Sequence, residues 1–204
     1  MYSLVLGPDQ NLWAPDPQDN LIARFTPAGV ETDFALPTPN ASPQQITLGP
    51  DGAMWFTEIA TGAIGKITTT GTITEFPIIL GPGQLGYGAP LGITRGPDSA
   101  LWYVDNAHGS IGRMTTAGAV VEFPSNYNVD AGGTAIIAGP DGAMYFTNGL
   151  GGKLLRISMK GTLQAFTIPK LQQRGGDFGS FAIGSDGSIW YTTARGNAIG
   201  KLVF

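Results

Sequence analysis

The chain has 204 residues, 42% of them apolar and 13% charged, with a net charge of −4 and a pI near 4.8. An acidic balance without clustered cations argues against nucleic acid or an anionic membrane as partner. The absence of cysteine excludes disulfides, thiol catalysis and thiolate zinc sites. No apolar run is long enough to cross a bilayer, and Met1 to Leu6 lacks the basic start of a signal peptide. The expectation is a soluble protein, cytoplasmic or secreted. The 31 glycines and 15 prolines point to a turn-rich, all-β domain.

One heptad of sequence returns five times: Gly7-Pro8-Asp9 to Trp13, Gly49-Pro50-Asp51 to Trp55, Gly96-Pro97-Asp98 to Trp102, Gly139-Pro140-Asp141 to Tyr145, and Gly184-Ser185-Asp186 to Trp190. Successive first glycines lie 42, 47, 43 and 45 residues apart, the period of a four-stranded propeller blade. The expected fold is a β-propeller of five repeats in a single domain over 1–204, with units near 1–37, 43–77, 90–124, 133–169 and 178–204. The second unit shows the plan. Strand A covers Gln45 to Leu48, Pro50-Asp51-Gly52 turns the chain, and strand B runs from Ala53 to Thr57. Strand C follows from Ala63 to Thr69, Thr70-Gly71 turns again, and strand D spans Thr72 to Pro77, its proline suited to an outer edge.

A two-residue turn at Thr70-Gly71 would set Lys66 opposite Glu75, and the same arithmetic sets Arg113 opposite Glu122 and Arg24 opposite Asp33. In the fourth unit Arg156 would meet Ala165. Trp13, Trp55, Trp102, Tyr145 and Trp190 recur at one repeat position and are expected to pack between blades. The fifth unit reaches only strand C at Ile199 to Phe204. Its missing outer strand leaves an edge through which a homo-oligomer could form.

Candidate chemistry gathers at the end of the blades formed by the B–C and D–A connections. Three residues beyond the strand-B aromatic stand Asp16, Glu58, Asp105, Asn148 and Thr193. The first four are oxygen donors of the kind that would hold Mg²⁺ or Ca²⁺ around a channel mouth. His108, the only histidine, follows Asp105 in the same loop and is the candidate catalytic base. The longer D–A connections carry Tyr87, Tyr127, Arg174 and Phe178, expected to line a site for a small molecule, sugar or cyclic peptide.

The run Gly49-Pro50-Asp51-Gly52-Ala53-Met54-Trp55-Phe56-Thr57-Glu58, followed by Ile64-Gly65-Lys66-Ile67-Thr68-Thr69-Thr70-Gly71-Thr72-Ile73-Thr74-Glu75-Phe76, resembles the virginiamycin B lyase (streptogramin lyase) family. The resemblance implies a seven-bladed propeller that opens a cyclic depsipeptide by elimination at its ester, using Mg²⁺ and histidine. It places the family's catalytic histidine five residues ahead of the repeat glycine. Those places hold Tyr2, Gln44, Leu91, Thr134 and Gly179 here, and Ser42 stands where the family can have a metal-binding glutamate. The expectation is therefore a ligand-binding or weakly catalytic module. The alternatives are a divalent-metal-dependent carbon–oxygen lyase acting through a rearranged site, and a propeller fragment that assembles through its open blade.

Overall fold

A computed structural model describes residues 3–79, 88–125, 135–147, 153–167, 178–193 and 198–203. It consists of five antiparallel sheets, each built by consecutive strands in the order in which the chain makes them. The first blade comprises β1 (Val5–Leu6), β2 (Leu12–Asp16), β3 (Leu21–Phe25) and β4 (Glu31–Ala35); the second, β5 (Pro43–Leu48), β6 (Met54–Glu58), β7 (Ala63–Ile67) and β8 (Ile73–Pro77). The third holds β9 (Pro90–Arg95), β10 (Leu101–Asp105), β11 (Ser110–Met114) and β12 (Val120–Pro124). The fourth holds β13 (Ile136–Ala138), β14 (Met144–Thr147), β15 (Lys153–Ile157) and β16 (Leu163–Thr167). Among the described residues the fifth has three strands, β17 (Phe178–Ile183), β18 (Ile189–Thr193) and β19 (Ala198–Leu202).

Apolar side chains alternate along each strand and meet those of the next blade. Trp13 and Ile22 of the first blade pack with Ile46, Met54 and Phe56 of the second. Trp55 and Ile64 pack with Leu101 and Tyr103 of the third, and Trp102 and Ile111 with Met144 and Phe146 of the fourth. Tyr145 and Leu154 close on Ile189 of the fifth. Four of the five repeat aromatics are thus wholly buried between blades, as expected, whereas Trp190 is 40% exposed. Its outer face meets no further sheet among the described residues, and Leu4, Leu6 and Leu12 stand exposed on the first blade.

The repeat aspartate ties each A–B turn to its sheet. Asp98 accepts the Trp102 indole N–H at 3.0 Å and pairs with Arg113 at 2.6 Å. Asp51 does the same for Trp55 and Lys66, and Asp141 accepts from the Tyr145 hydroxyl and pairs with Arg156. Lys201 pairs with Asp186 in the fifth blade. The indole rings stack on phenylalanines of the blade's fourth strand, Trp55 on Phe76 at 5.4 Å and Trp102 on Phe123 at 5.6 Å. Gly49 opens its turn because a Cβ there would lie 2.2 Å from the Trp55 ring.

These ion pairs replace the cross-strand pairs expected from the sequence. The β7–β8 turn is not a two-residue turn. Gly71 N–H donates to Thr68 O, Thr68 N–H donates to Thr72 O, and Gly71 adopts φ +91°, the pattern of a glycine bulge. The extra residue shifts the register by one, so Lys66 faces Thr74 and Glu75 faces Gly65. Arg113 likewise faces Val121, Arg24 faces Thr32 and Arg156 faces Gln164. Because neighbouring residues on a strand point to opposite faces, the slip separates each cation from the acid expected to meet it.

Burial alone would raise the Asp98 carboxyl, but the bonds from Trp102 and Arg113 outweigh it and hold it below the usual carboxylate range. Its stabilisation is therefore present above the ordinary value of 3.8 and is lost as pH falls further. Asp98→Ala should cost about 2–3 kcal/mol, because it strands a buried indole N–H and unpairs Arg113. Urea denaturation at pH 7 measures this; a loss below about 0.5 kcal/mol would show that the turn is held by something else.

Candidate functional site

The strand-B acids fall at one repeat position, and the structure gives each a different local environment. In the first blade, Asp16 Oδ1 caps the β2–β3 turn by accepting the amides of Gln18 and Asp19 at 2.9 and 3.2 Å. In the second, Glu58 is fully buried at the end of β6; its Oε2 accepts the Thr61 hydroxyl at 2.9 Å and its Oε1 has no hydrogen-bond partner. In the third, Asp105 is fully buried and has both oxygens engaged. Oδ1 accepts the amides of Ala89 and Ala107 at 2.8 and 2.9 Å, and Oδ2 meets His108 Nδ1 at 2.8 Å. Thr193 is buried and its hydroxyl donates to Ala198 O. Asn148 lies outside the described residues.

Asp105 and His108 form a dyad that the sequence presented only as two neighbours in a loop. A carboxylate accepts and cannot donate, so Nδ1 carries the proton and the lone pair of the neutral ring sits on Nε2. The β10–β11 turn sets the three-residue spacing that lets His108 fold back onto Asp105. The imidazole is partly exposed at 17%, which leaves it accessible to a ligand. Gly88 fits against this carboxylate, since a Cβ there would lie 2.9 Å from Asp105 Oδ2.

Beside the dyad stands Glu122, which the sequence assigned to an ion pair with Arg113. The bulged β11–β12 turn puts it on the other face, where Tyr103 and Ser110 donate their hydroxyls to it. Burial raises the Glu122 carboxyl above its ordinary value, and the Asp105 charge adds to the rise while the bonds from Ser110 and Tyr103 oppose it. The same shift in the second blade frees Glu75 to accept the Thr38 amide and hydroxyl at 3.1 and 2.5 Å. Neither glutamate could be placed without knowing the turn type.

The carboxylates at this end do not, among the described residues, gather into a group that fits the metal the family resemblance implies. Among the described residues no group of three or more histidine, aspartate or glutamate side chains could hold one ion. The oxygens of Asp105 are engaged by two amides and an imidazole, and Asp16 is a turn cap. Ahead of β6, Gln44 donates from its side-chain amide to the Ser42 hydroxyl, and Ser42 and Asn40 both adopt left-handed backbone with φ of 55° and 56°. Of the loop residues, Tyr87, Tyr127 and Arg174 lie outside the described residues. Phe178 begins β17 opposite Thr193.

The profile of the virginiamycin B lyase family matches residues 1–86. The fold is similar to a catalytically inactive histidine-to-alanine variant of virginiamycin B lyase from Staphylococcus aureus with quinupristin, at 34% identity and a TM-score of 0.87 over 98% of this chain and 64% of that one. It is also similar to a streptogramin B lyase at 31% identity and TM-score 0.83, covering 97% of this chain and 66% of that one. A selenomethionine-substituted virginiamycin B lyase from Staphylococcus aureus matches at 30% identity and TM-score 0.83, with 98% and 69% covered. The chain thus spans 64% to 69% of these relatives' lengths. No curated protein matches it in sequence.

Glu58 supplies a test of the site's electrostatics. Burial, reinforced by the charge of Glu75 and opposed by the Thr61 hydroxyl, pushes its carboxyl from 4.5 up to about 7. A group that binds its proton more tightly when folded makes stability fall as pH rises from 4.5 to about 7, after which the loss is complete. Glu58→Gln should abolish that slope and make the protein about 1–3 kcal/mol more stable at pH 8, with little change at pH 5. Urea curves at the two pH values decide it; parallel behaviour of variant and parent would refute the buried-acid assignment.

Proposed function

The chain belongs to the virginiamycin B lyase family, and from that membership we propose that it is a ligand-binding, at most weakly catalytic propeller whose site is the end of the blades carrying the B–C loops. The ligand class is a cyclic or peptide-like molecule rich in carbonyl groups. One observation carries the reading: the place before β6 where the family's histidine stands is held by Gln44, whose amide is engaged with Ser42 and transfers no proton. In the relative crystallised with quinupristin, replacing a single histidine accompanies inactivity. A chain with no histidine at that place keeps the scaffold and loses the proton-transfer group.

The Asp105–His108 contact favours a second reading, slow elimination through a relocated base. Asp105 orients the ring, and Nε2 takes the proton from the carbon adjacent to the ester C–O carbon. The carbon–carbon double bond forms as the C–O bond breaks, and the carboxylate leaves with the electron pair. Geometry of this kind contributes by positioning, and the base alone typically supplies about 10²–10⁴ in rate.

Quinupristin distinguishes the two readings. Calorimetric titration is expected to give saturable binding, while chromatography is expected to show ring opening slow or absent; mass alone is uninformative because elimination conserves it. His108→Ala should abolish any residual opening and leave the thermal midpoint within a few degrees of the parent. Absence of binding sinks the binding reading, and rapid opening that survives His108→Ala sinks both assignments.

A further inference from the structure

Where the connection between β4 and β5 crosses the second blade, a cavity of about 370 Å³ is lined by Thr38, Glu58, Thr61, Ala63, Glu75 and Pro77 among others. That volume is within the usual range of small-ligand sites, roughly 300–1,000 Å³. Its described lining contains two carboxyls and two threonine hydroxyls and no lysine or arginine. Glu58 is one of its lining residues, and Glu58 Oε1 is wholly buried without a hydrogen-bond donor. Leaving such a group unpaired costs about 1–3 kcal/mol or more, which a bound donor would offset.

We infer that this cavity binds the primary ammonium group of a small organic amine, held between Glu58 Oε1 and Glu75. An ammonium offers three donors and a compact positive charge, matching two carboxyls that no protein cation neutralises. Glu75 already accepts one bond at each oxygen from Thr38 and keeps further lone pairs for a ligand. Thr61 holds the other Glu58 oxygen, which aims Oε1.

The third blade shows what the same backbone looks like when nothing remains to be bound. By strand register, Tyr103, Ser110 and Glu122 occupy the places of Phe56, Ala63 and Glu75. There the hydroxyls of Tyr103 and Ser110 both donate to Glu122, so the carboxyl is satisfied internally. The second blade lacks those two hydroxyls; Thr38 serves Glu75 there, and Glu58 Oε1 is left without a donor, whereas Asp105 at its place in the third blade has both oxygens engaged. Gly65 beneath Phe56 and Gly112 beneath Tyr103 accept the rings at similarly close approach, so a hydroxyl on the Phe56 ring has a precedent in the same molecule. The inference does not depend on the ligand taken by the Asp105–His108 dyad.

Ethylammonium is the probe, followed through the Thr38 and Thr61 amide signals of the intact chain by NMR. It is expected to saturate both shifts, and tetramethylammonium, which has the charge but no donor, to bind at least about tenfold more weakly. Phe56→Tyr combined with Ala63→Ser installs the third blade's hydroxyls and should weaken ethylammonium at least about tenfold with the thermal midpoint retained. Glu58→Gln, which adds no volume, should weaken it similarly and serves if the double variant misfolds. Failure of ethylammonium to saturate, equal binding of tetramethylammonium, undiminished binding by the folded variants, or saturation of the same amides by Mg²⁺ with displacement of ethylammonium would each overturn the assignment.

Discussion

The bulged turn between the third and fourth strands of a blade decides which charges meet. Gly29, Gly71, Gly118 and Gly161 all adopt positive φ between 81° and 91°, a conformation that a side chain would resist. Each adds one residue to the turn, and one residue is enough to reverse the face of everything beyond it. Lys66, Arg113, Arg156 and Lys201 of strand C lie beside the repeat aspartates through their register with strand B, with Lys66 at 5.4 Å from the Trp55 centroid. The strand-D acids Glu75 and Glu122 are released to the opposite face, where Glu75 accepts from Thr38 and Glu122 from Tyr103 and Ser110. Ion pairing on one face follows from the register of strands B and C, as Lys201–Asp186 in the fifth blade shows, and the half-buried carboxyls on the other follow from the turn.

Given that register, the blades differ in chemistry through very few atoms. Thr61 and His108 stand three residues past their acids in corresponding loops, and both fold back to hydrogen-bond them. The exchange of threonine for histidine turns an anchored carboxyl into an oriented imidazole. Phe56 against Tyr103 and Ala63 against Ser110 decide which groups serve the neighbouring glutamate, Thr38 for Glu75 and Tyr103 with Ser110 for Glu122. The backbone carries these alternatives without rearrangement because the inter-blade clusters, with Trp55, Trp102 and Tyr145 at their centres, fix the sheets independently of the loops.

Much of this fold was legible in the sequence. The glycine–proline–aspartate repeat fixed the strand phases, and the aromatic at its end announced a position buried in four blades. Trp190 departs only because burial there depends on another sheet, which its own repeat does not encode. The hairpin register was not legible: Thr70-Gly71 and Ala117-Gly118 suit either a two-residue turn or a bulge, and hydrogen bonds within the turn decide between them. Of the site, Asp105 and His108 were visible as a three-residue spacing, as was the place of Glu58. Glu75, Glu122 and Tyr103 were not, since their membership follows from the register that the sequence left undecided.

The cost of burying Glu58 limits what the rest of the blade can do. Raising a carboxyl from 4.5 to about 7 corresponds to about 3 kcal/mol at neutral pH, a large share of the margin of an ordinary domain. That cost is borne next to a blade interface whose Ile46, Met54, Phe56 and Ile67 are essentially removed from water, and burial of each large aliphatic or aromatic side chain is worth about 1.5–3 kcal/mol. The interface therefore has the strength to hold an acid that neither an ion pair nor a full set of hydrogen bonds satisfies. The third blade relieves the corresponding acid, Asp105, with two amides and an imidazole. The second blade relieves Glu58 with the Thr61 hydroxyl alone, and so retains an unpaired acceptor on a residue that lines a cavity.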